Sequence, residues 1–223
     1  TITYAAPTTS DNCFETLALT TPAYASGTSH GPGSYAVDYT VTDDAGLTAT
    51  CSFTATVTDN EVPTITCPAS VTVDTDGGLC TAVVTFAAPT TGDNCGAPTV
   101  VQTAGLASGA AFPLGATTQT FVASDAAGNT ASCTFTVTVE DNELPAITCP
   151  ADVNTAVDAG VCTTTLSYAA PTTSDNCAGA VGPTLQTAGY GNGATVGPTA
   201  GTSVGYLVTD GSGNTATCSF TVT

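Results

Sequence analysis

The 223-residue chain has no lysine, arginine, methionine or tryptophan, and its only histidine is His30. Without a cationic side chain nothing can neutralise phosphate, so nucleic acid is excluded as a partner. Anionic membrane surfaces are unattractive for the same reason. Every trypsin-type cleavage site is missing as well, which suits a durable, exposed protein. No Asn-x-Ser/Thr sequon occurs, so any glycan would be O-linked, on a chain rich in threonine. No run of about 20 apolar residues exists, so no membrane insertion is expected. The chain opens at Thr1 without a methionine, which reads as a processed product or a piece of something longer.

Cysteine is what the sequence has in plenty. Ten are present, an even number with no CxxC pair, which points to disulfides in an oxidising, extracellular or cell-surface setting and not to zinc. Net charge is −18, yet only 8% of residues are charged, so Thr, Ser, Asn, Gln and Gly must dress the surface.

Internal repetition settles the organisation. "YAAPTTSDNC" at Tyr4 to Cys13 returns at Tyr168 to Cys177, and "FAAPTTGDNC" at Phe86 to Cys95 is a near copy. Cys13, Cys95 and Cys177 are spaced by 82 residues, as are Cys51 with Cys133, Cys67 with Cys149 and Cys80 with Cys162; Cys218 is late by three. A small insertion near "GNGATVGPTAG" in the third repeat accounts for the delay. One shortened repeat (1–58) is thus followed by two complete ones (59–140 and 141–223).

Within each repeat the apolar residues alternate. Cys80, Ala82, Val84, Phe86 and Ala88 do so, as do Tyr35, Val37, Tyr39 and Val41, and again Cys51, Phe53, Ala55 and Val57. Period two with β-branched enrichment is the half-buried strand pattern, and Gly, Pro, Asn and Asp clusters separate the runs. About seven short strands per repeat predict an all-β chain of tandem immunoglobulin-like sandwiches, stapled by disulfides, with the first repeat lacking its N-terminal strand. The shortened repeat keeps Cys13 and Cys51 but lacks the equivalents of Cys67 and Cys80. If pairing stays within a repeat, Cys13–Cys51 is its available bridge. Carried across, that gives Cys95–Cys133 and Cys177–Cys218 and leaves Cys67–Cys80 and Cys149–Cys162.

The ordered set ITCPA, APTTSDNC and DxxGNTAxC resembles the hyalin repeat (HYR) family of extracellular modules, over nearly the whole chain. The resemblance implies an immunoglobulin-related sandwich in tandem, roles in adhesion or surface matrices, and no catalytic residues. Two departures stand out. A further cysteine pair common in the family is replaced here by Val101 or Gln102 and Phe121. The first repeat also reads "DDAGLTATC", with Leu47 where the others carry Asn129 and Asn214, so its turn is expected to differ.

In this fold the end of the last strand delivers the linker to the top of the next repeat. The first junction would then gather Asp59 and Glu61 with Asp93 and Asp125, and the second Asp141 and Glu143 with Asp175 and Asp210. Clusters of hard oxygen ligands suit extracellular Ca²⁺. A plainer reading makes DNE a solvated linker and DxxGN a hairpin turn using Asn and Gly for positive φ. His30, in a Gly/Pro-rich loop without a second histidine, reads as exposed decoration. No base is left to activate a serine or cysteine, so no enzyme activity is expected.

Thr1 aligns with Val83, so the first repeat begins inside its second strand. A sandwich without its first strand exposes an edge that further repeats, or a neighbour binding head-to-tail, could complete by strand addition. The sequence therefore reads as a segment of a filament, stalk or adhesin. The alternative is a carbohydrate- or protein-binding module of a larger secreted protein.

Overall fold

The computed structural model describes residues 1–12, 15–177, 184–198 and 201–223. Strands carry the fold, and no described helix is long and apolar enough to cross a membrane. The chain divides into two compact units. One holds Thr1–Cys67, Pro89–Thr103 and Thr120–Cys133; the other holds Pro68–Ala88, Ala104–Gln119 and Thr134–Thr223.

In the first repeat β1 (Glu15–Leu19), β2 (Gly33–Asp43) and β3 (Thr48–Val57) form one antiparallel sheet in that order. Val37 lies opposite Phe53 and Tyr39 opposite Cys51. The period-two pattern turns Val37 and Tyr39 inward, where they are buried. The same pattern in β3 is only partly covered: Phe53 is 36% exposed, and the strand is open along most of its length.

The second repeat supplies β4 (Thr64–Thr66), β5 (Val71–Asp74), β6 (Thr81–Val83), β7 (Thr90–Gly92), β8 (Thr99–Ala104), β9 (Ala111–Pro113), β10 (Gly115–Ser124) and β11 (Thr130–Glu140). Its main sheet runs β5-β11-β10-β8, and β4-β7 and β6-β9 form separate two-stranded pairs. β5 runs parallel to β11, with Val71 beside Val137 and Val73 beside Val139. That strand covers the flank left bare in the first repeat. Phe135, the counterpart of Phe53, is 5% exposed, and Val137 and Val139 are fully enclosed.

The third repeat supplies β12 (Ala146–Thr148), β13 (Thr164–Thr165), β14 (Thr172–Ser174), β15 (Leu185–Ala188), β16 (Thr195–Val196), β17 (Thr202–Thr209) and β18 (Thr215–Val222). Its sheet runs β15-β17-β18, beside the pairs β12-β14 and β13-β16. Val153 bridges Val222 in parallel, the counterpart of Val71 beside Val137. Leu166, Tyr168, Val204, Tyr206 and Phe220 form the core. Each repeat sets an aromatic edge-on against the Phe of its last strand: Tyr4–Phe53 at 4.9 Å, Phe86–Phe135 at 5.0 Å and Tyr168–Phe220 at 5.0 Å. The Tyr168 hydroxyl donates to the Tyr190 carbonyl at 2.6 Å, as Tyr4 does to Tyr24. Burial, then the Tyr206 hydroxyl beside it, pushes Tyr168 up to about 12. These are immunoglobulin-like sandwiches in tandem, stapled by disulfides.

The bridges depart from the expected pairing. Cys67 bonds Cys133, Cys149 bonds Cys218, and Cys80 bonds Cys177. Cys95–Cys133, Cys177–Cys218, Cys67–Cys80 and Cys149–Cys162 do not form. The physical reason lies in strand placement. The chain leaving β4 enters the parallel β5–β11 pair, so Cys67 lands beside Cys133, with 5.7 Å between Cα atoms. In the third repeat's DNC loop, Cys177 meets Cys80 of the preceding repeat instead of its own last strand. Among the described residues Cys51, Cys95 and Cys162 form no disulfide. The expected Cys13–Cys51 bridge involves Cys13, which lies outside the described residues.

Candidate functional site: the inter-repeat joints

Each joint is built from three short stretches that the repeat writes again and again. The DxxG turn comes first. Asp210 closes it by accepting the backbone N–H groups of Asn214 at 2.7 Å and Ser212 at 2.9 Å, and Gly213 takes the positive φ of 97°. Asp125 and Gly128 repeat this arrangement. No described residue other than glycine has positive φ, so the asparagine is not there for left-handed backbone as expected. Its side chain is the working part. The Asn214 amide donates to Asp210 Oδ2 at 2.8 Å and to the Asp141 carbonyl of the incoming linker at 2.9 Å. Asn129 does the same to Asp125 at 2.8 Å and to the Asp59 carbonyl at 3.2 Å.

The expected difference in the first repeat's turn is therefore of another kind. Asp43 still accepts the Leu47 N–H at 2.8 Å, and Gly46 still has positive φ, so the backbone turn is kept. Leu47, 71% exposed, offers no amide to a linker.

The DNC loop is the second stretch. Asp93 Oδ2 accepts the Cys95 N–H at 2.9 Å, and Asp175 Oδ2 accepts that of Cys177 at 3.2 Å. The asparagine between them reaches backward. Asn94 donates to Glu61 Oε2 at 2.7 Å. Asn176 donates to the Leu79 carbonyl at 3.0 Å, and to Thr75 Oγ1 and Asp141 Oδ1, both at 3.3 Å. Sequence reasoning passed over these asparagines, although their return in all three copies of the phrase was the available signal.

The linker itself is third. Asp59 and Asp141 each cap their own turn through the N–H of Glu61 and Glu143, both at 3.1 Å. The two glutamates turn to other work: Glu61 holds Asn94, and Glu143 accepts the Gly78 N–H at 2.9 Å.

Of the carboxylates expected to converge, Asp59, Asp93 and Asp125 do so, each with an oxygen within 4.8 Å of the others. They line a cleft of about 350 Å³ together with Pro32 and Cys95. Asp93 Oδ1 is buried there and accepts no hydrogen bond. A carboxylate oxygen withdrawn from water and left unpaired calls for a cation or a bound water. Crowding in the cleft, then the Asp59 carboxylate beside it and the charges of Asp93 and Glu61, push the Cys95 thiol up.

The second set is different. Asp141 and Asp175 meet the sulfur of Cys177, which is already spent in a disulfide. Asp210 is 6% exposed, and its two oxygens are filled by hydrogen bonds. Asn176 and Ser212 donate to Asp141, doing the work a cation would do. Asp175 Oδ1, like Asp93 Oδ1, is buried without a hydrogen bond, but with Asp210 saturated and Cys177 bridged this joint offers fewer free carboxylates than the first. Among the described residues neither Glu61 nor Glu143 belongs to a cluster. His30 also differs from the expected exposed decoration. It is half-buried between Tyr24 and Tyr35, at ring distances of 5.3 and 5.0 Å, with Nε2 2.6 Å from Thr28 Oγ1.

The profile of the HYR domain matches residues 1–57, 58–139 and 140–223, and the chain belongs to that family. It is 34% identical over 227 residues to Hyalin of Strongylocentrotus purpuratus, covering 99% of this chain and 18% of that protein. Against Hyalin of Lytechinus variegatus it is 33% identical over 235 residues, covering 100% of this chain and 42% of that one. The chain thus spans less than half the length of these curated relatives. Among solved structures it is similar to Drosophila N-cadherin EC1-3, at a TM-score of 0.42 and 12% identity, covering 98% of this chain and 91% of that one. Protocadherin Gamma B2 extracellular cadherin domains 3-6 match at a TM-score of 0.36 and 16% identity, covering 85% and 58%.

Proposed function

We propose that the chain is a non-enzymatic, extracellular segment of a surface filament, stalk or adhesin, in which the repeats act as covalently coupled spacers. The observation that carries this reading is the Cys80–Cys177 bridge, which ties the second repeat to the third. The side chains at the joints are engaged in holding linker to loop, through Asn129, Asn176 and Asn214. Load applied along such an array passes through a disulfide and a network of hydrogen bonds. The relatives named Hyalin and the repetition itself favour the same reading.

Two finer features belong to the proposal. Asp59, Asp93 and Asp125 would hold Ca²⁺, which would supply the positive charge that buried Asp93 Oδ1 lacks. The open flank of β3, with a hollow of about 470 Å³ bounded by Ile2, Tyr4, Phe53 and Val57, would accept a strand as β11 accepts β5. That strand would come from a further repeat or from a neighbouring subunit.

Negative-stain images of native material are expected to show linear arrays, with no sugar binding on a glycan array. Discrete particles with specific glycan affinity would overturn the reading in favour of a binding module. Thermal unfolding in Ca²⁺ against chelator is expected to show a higher midpoint with Ca²⁺, lost in Asp93→Asn. An unchanged midpoint would remove Ca²⁺ from the account and leave the array standing.

A further inference from the structure

Among the described residues, three cysteines form no bridge, and they occupy positions whose counterparts elsewhere in the chain are bridged. Cys162 is the counterpart of Cys80, and Cys95 of Cys177, each displaced by 82 residues. Cys51 is the counterpart of Cys133 and Cys218, which bond the first-strand cysteines Cys67 and Cys149.

The local geometry is the same on the paired and unpaired sides. Ahead of Cys80, Asp76 donates its N–H to the Thr81 carbonyl and accepts that of Leu79, both at 2.8 Å. Ahead of Cys162, Asp158 does the same with Thr163 and Val161, at 3.0 and 3.2 Å. The strand that follows keeps one register in every copy. Val84 N–H meets the Ala110 carbonyl at 3.2 Å, Leu166 meets Ala194 at 2.9 Å, and Ile2 meets Thr28 at 3.0 Å. On the receiving side, Cys95 sits in the same aspartate-closed loop as Cys177. Cys51 lies across from Tyr39 as Cys218 lies across from Tyr206. All three unpaired thiols are exposed.

We infer that Cys51, Cys95 and Cys162 are half-cystines whose other halves are carried by further repeats of the same kind. Each has a defined partner. Cys51 takes the cysteine of an I-T-C-P first strand, which would close the open flank of the first repeat covalently. Cys95 takes a cysteine at the entry to a second strand, as Cys177 takes Cys80. Cys162 takes the cysteine of a D-N-C loop. In each case two thiols lose two protons and two electrons as the S–S bond forms. The acceptor is a small-molecule disulfide of the oxidising compartment, which leaves as two thiols. The partner repeat belongs either to a longer polypeptide or to a second copy, and the chemistry is the same for both.

The inference rests on the array reading only in taking the partner to be a repeat. The test is to denature native material without reductant, alkylate it with iodoacetamide, and digest it with a protease cutting at acidic or aromatic residues. The linked peptides are then sequenced by mass spectrometry. The expected result is no alkylation at Cys51, Cys95 or Cys162 before reduction, full alkylation after it, and three linked peptides carrying the motifs above. A non-reducing gel distinguishes the sources: a size unchanged by reductant means one longer chain, and collapse to a smaller band means a second copy. Free alkylated thiols, glutathione caps, or bonds of these cysteines to one another or to Cys13 would overturn the inference and leave the array standing. Bonds to peptides that are not repeats would overturn both.

Discussion

Replacing both Cys80 and Cys177 by serine isolates what the covalent joint contributes. The double variant is needed because Cys177 is only 2% exposed, and a single replacement would leave a buried thiol beside a new hydroxyl. The two cysteines are 97 residues apart in sequence. A loop of that size contributes about 4.7 kcal/mol in the chain-entropy model. The Cys67–Cys133 bridge already shortens the loop, so about 4 kcal/mol is the ceiling. In urea, with a slope of about 2 kcal/mol per molar, the midpoint should fall by about 2 M. Far-UV circular dichroism and tyrosine fluorescence should follow the change, since the chain has no tryptophan. The bonds from Asn176 to Leu79 and Thr75 remain in the variant, so the fold is kept and only its tether is lost. A loss below about 1 kcal/mol, with unchanged slope, would show that the bridge adds little to the joint. It would mean that the reduced chain is already constrained at this joint, or that the bridge is offset by native strain.

Four further substitutions probe the same packing. Phe220→Ala should cost about 3–5 kcal/mol by denaturant unfolding, because Phe220 is 4% exposed. Phe53→Ala, at the matching position on the uncovered β3, should cost less than half as much in the 223-residue chain on its own; equal losses there would show that the first repeat is closed without an added strand. Asn214→Leu, which copies the first repeat's turn residue, should keep the backbone turn and lose the bond to the Asp141 carbonyl, at about 1–2 kcal/mol. Burial alone would raise Asp210, but the Asn214 amide and the N–H groups of Asn214, Gly213 and Ser212 outweigh it and hold the carboxyl below its ordinary 3.8. Its contribution is therefore complete above the ordinary value and lost as pH falls through the lower folded value. In Asn214→Leu, carboxyl carbon shifts should place the Asp210 titration nearer 3.8; an unmoved titration would show that the amide is not the cause. Gly189→Ala should cost about 2–4 kcal/mol, since Gly189 has φ of +78° and a Cβ there would sit 2.5 Å from the Ser203 carbonyl oxygen. A midpoint within error of the parent would contradict that placement.

The strands were legible because period two and the punctuating Gly, Pro and Asn clusters act locally. Val37, Tyr39, Ala82 and Val84 are buried as the alternation requires. The same rule misplaced Phe53, because alternation says which face a residue is on and not whether anything covers that face. The acidic convergence of Asp59, Asp93 and Asp125 followed from where the sandwich puts its loops. Its two limits came from competition that no spacing reveals. Glu61 is drawn to Asn94, and Asp210 is saturated by its own turn. The pairing of cysteines failed for a plainer reason. Elimination within one repeat assumed that bridges stay within a repeat, and Cys80–Cys177 does not.

The measurement that bears most directly on the covalently coupled array is the sequencing of the disulfide peptide that contains Cys177, from oxidised, alkylated protein. It is expected to carry Cys80, alongside separate Cys67–Cys133 and Cys149–Cys218 peptides. A Cys177 peptide bonded to Cys218, with Cys80 bonded to Cys67, would confine the bridges within single repeats and contradict the coupled array.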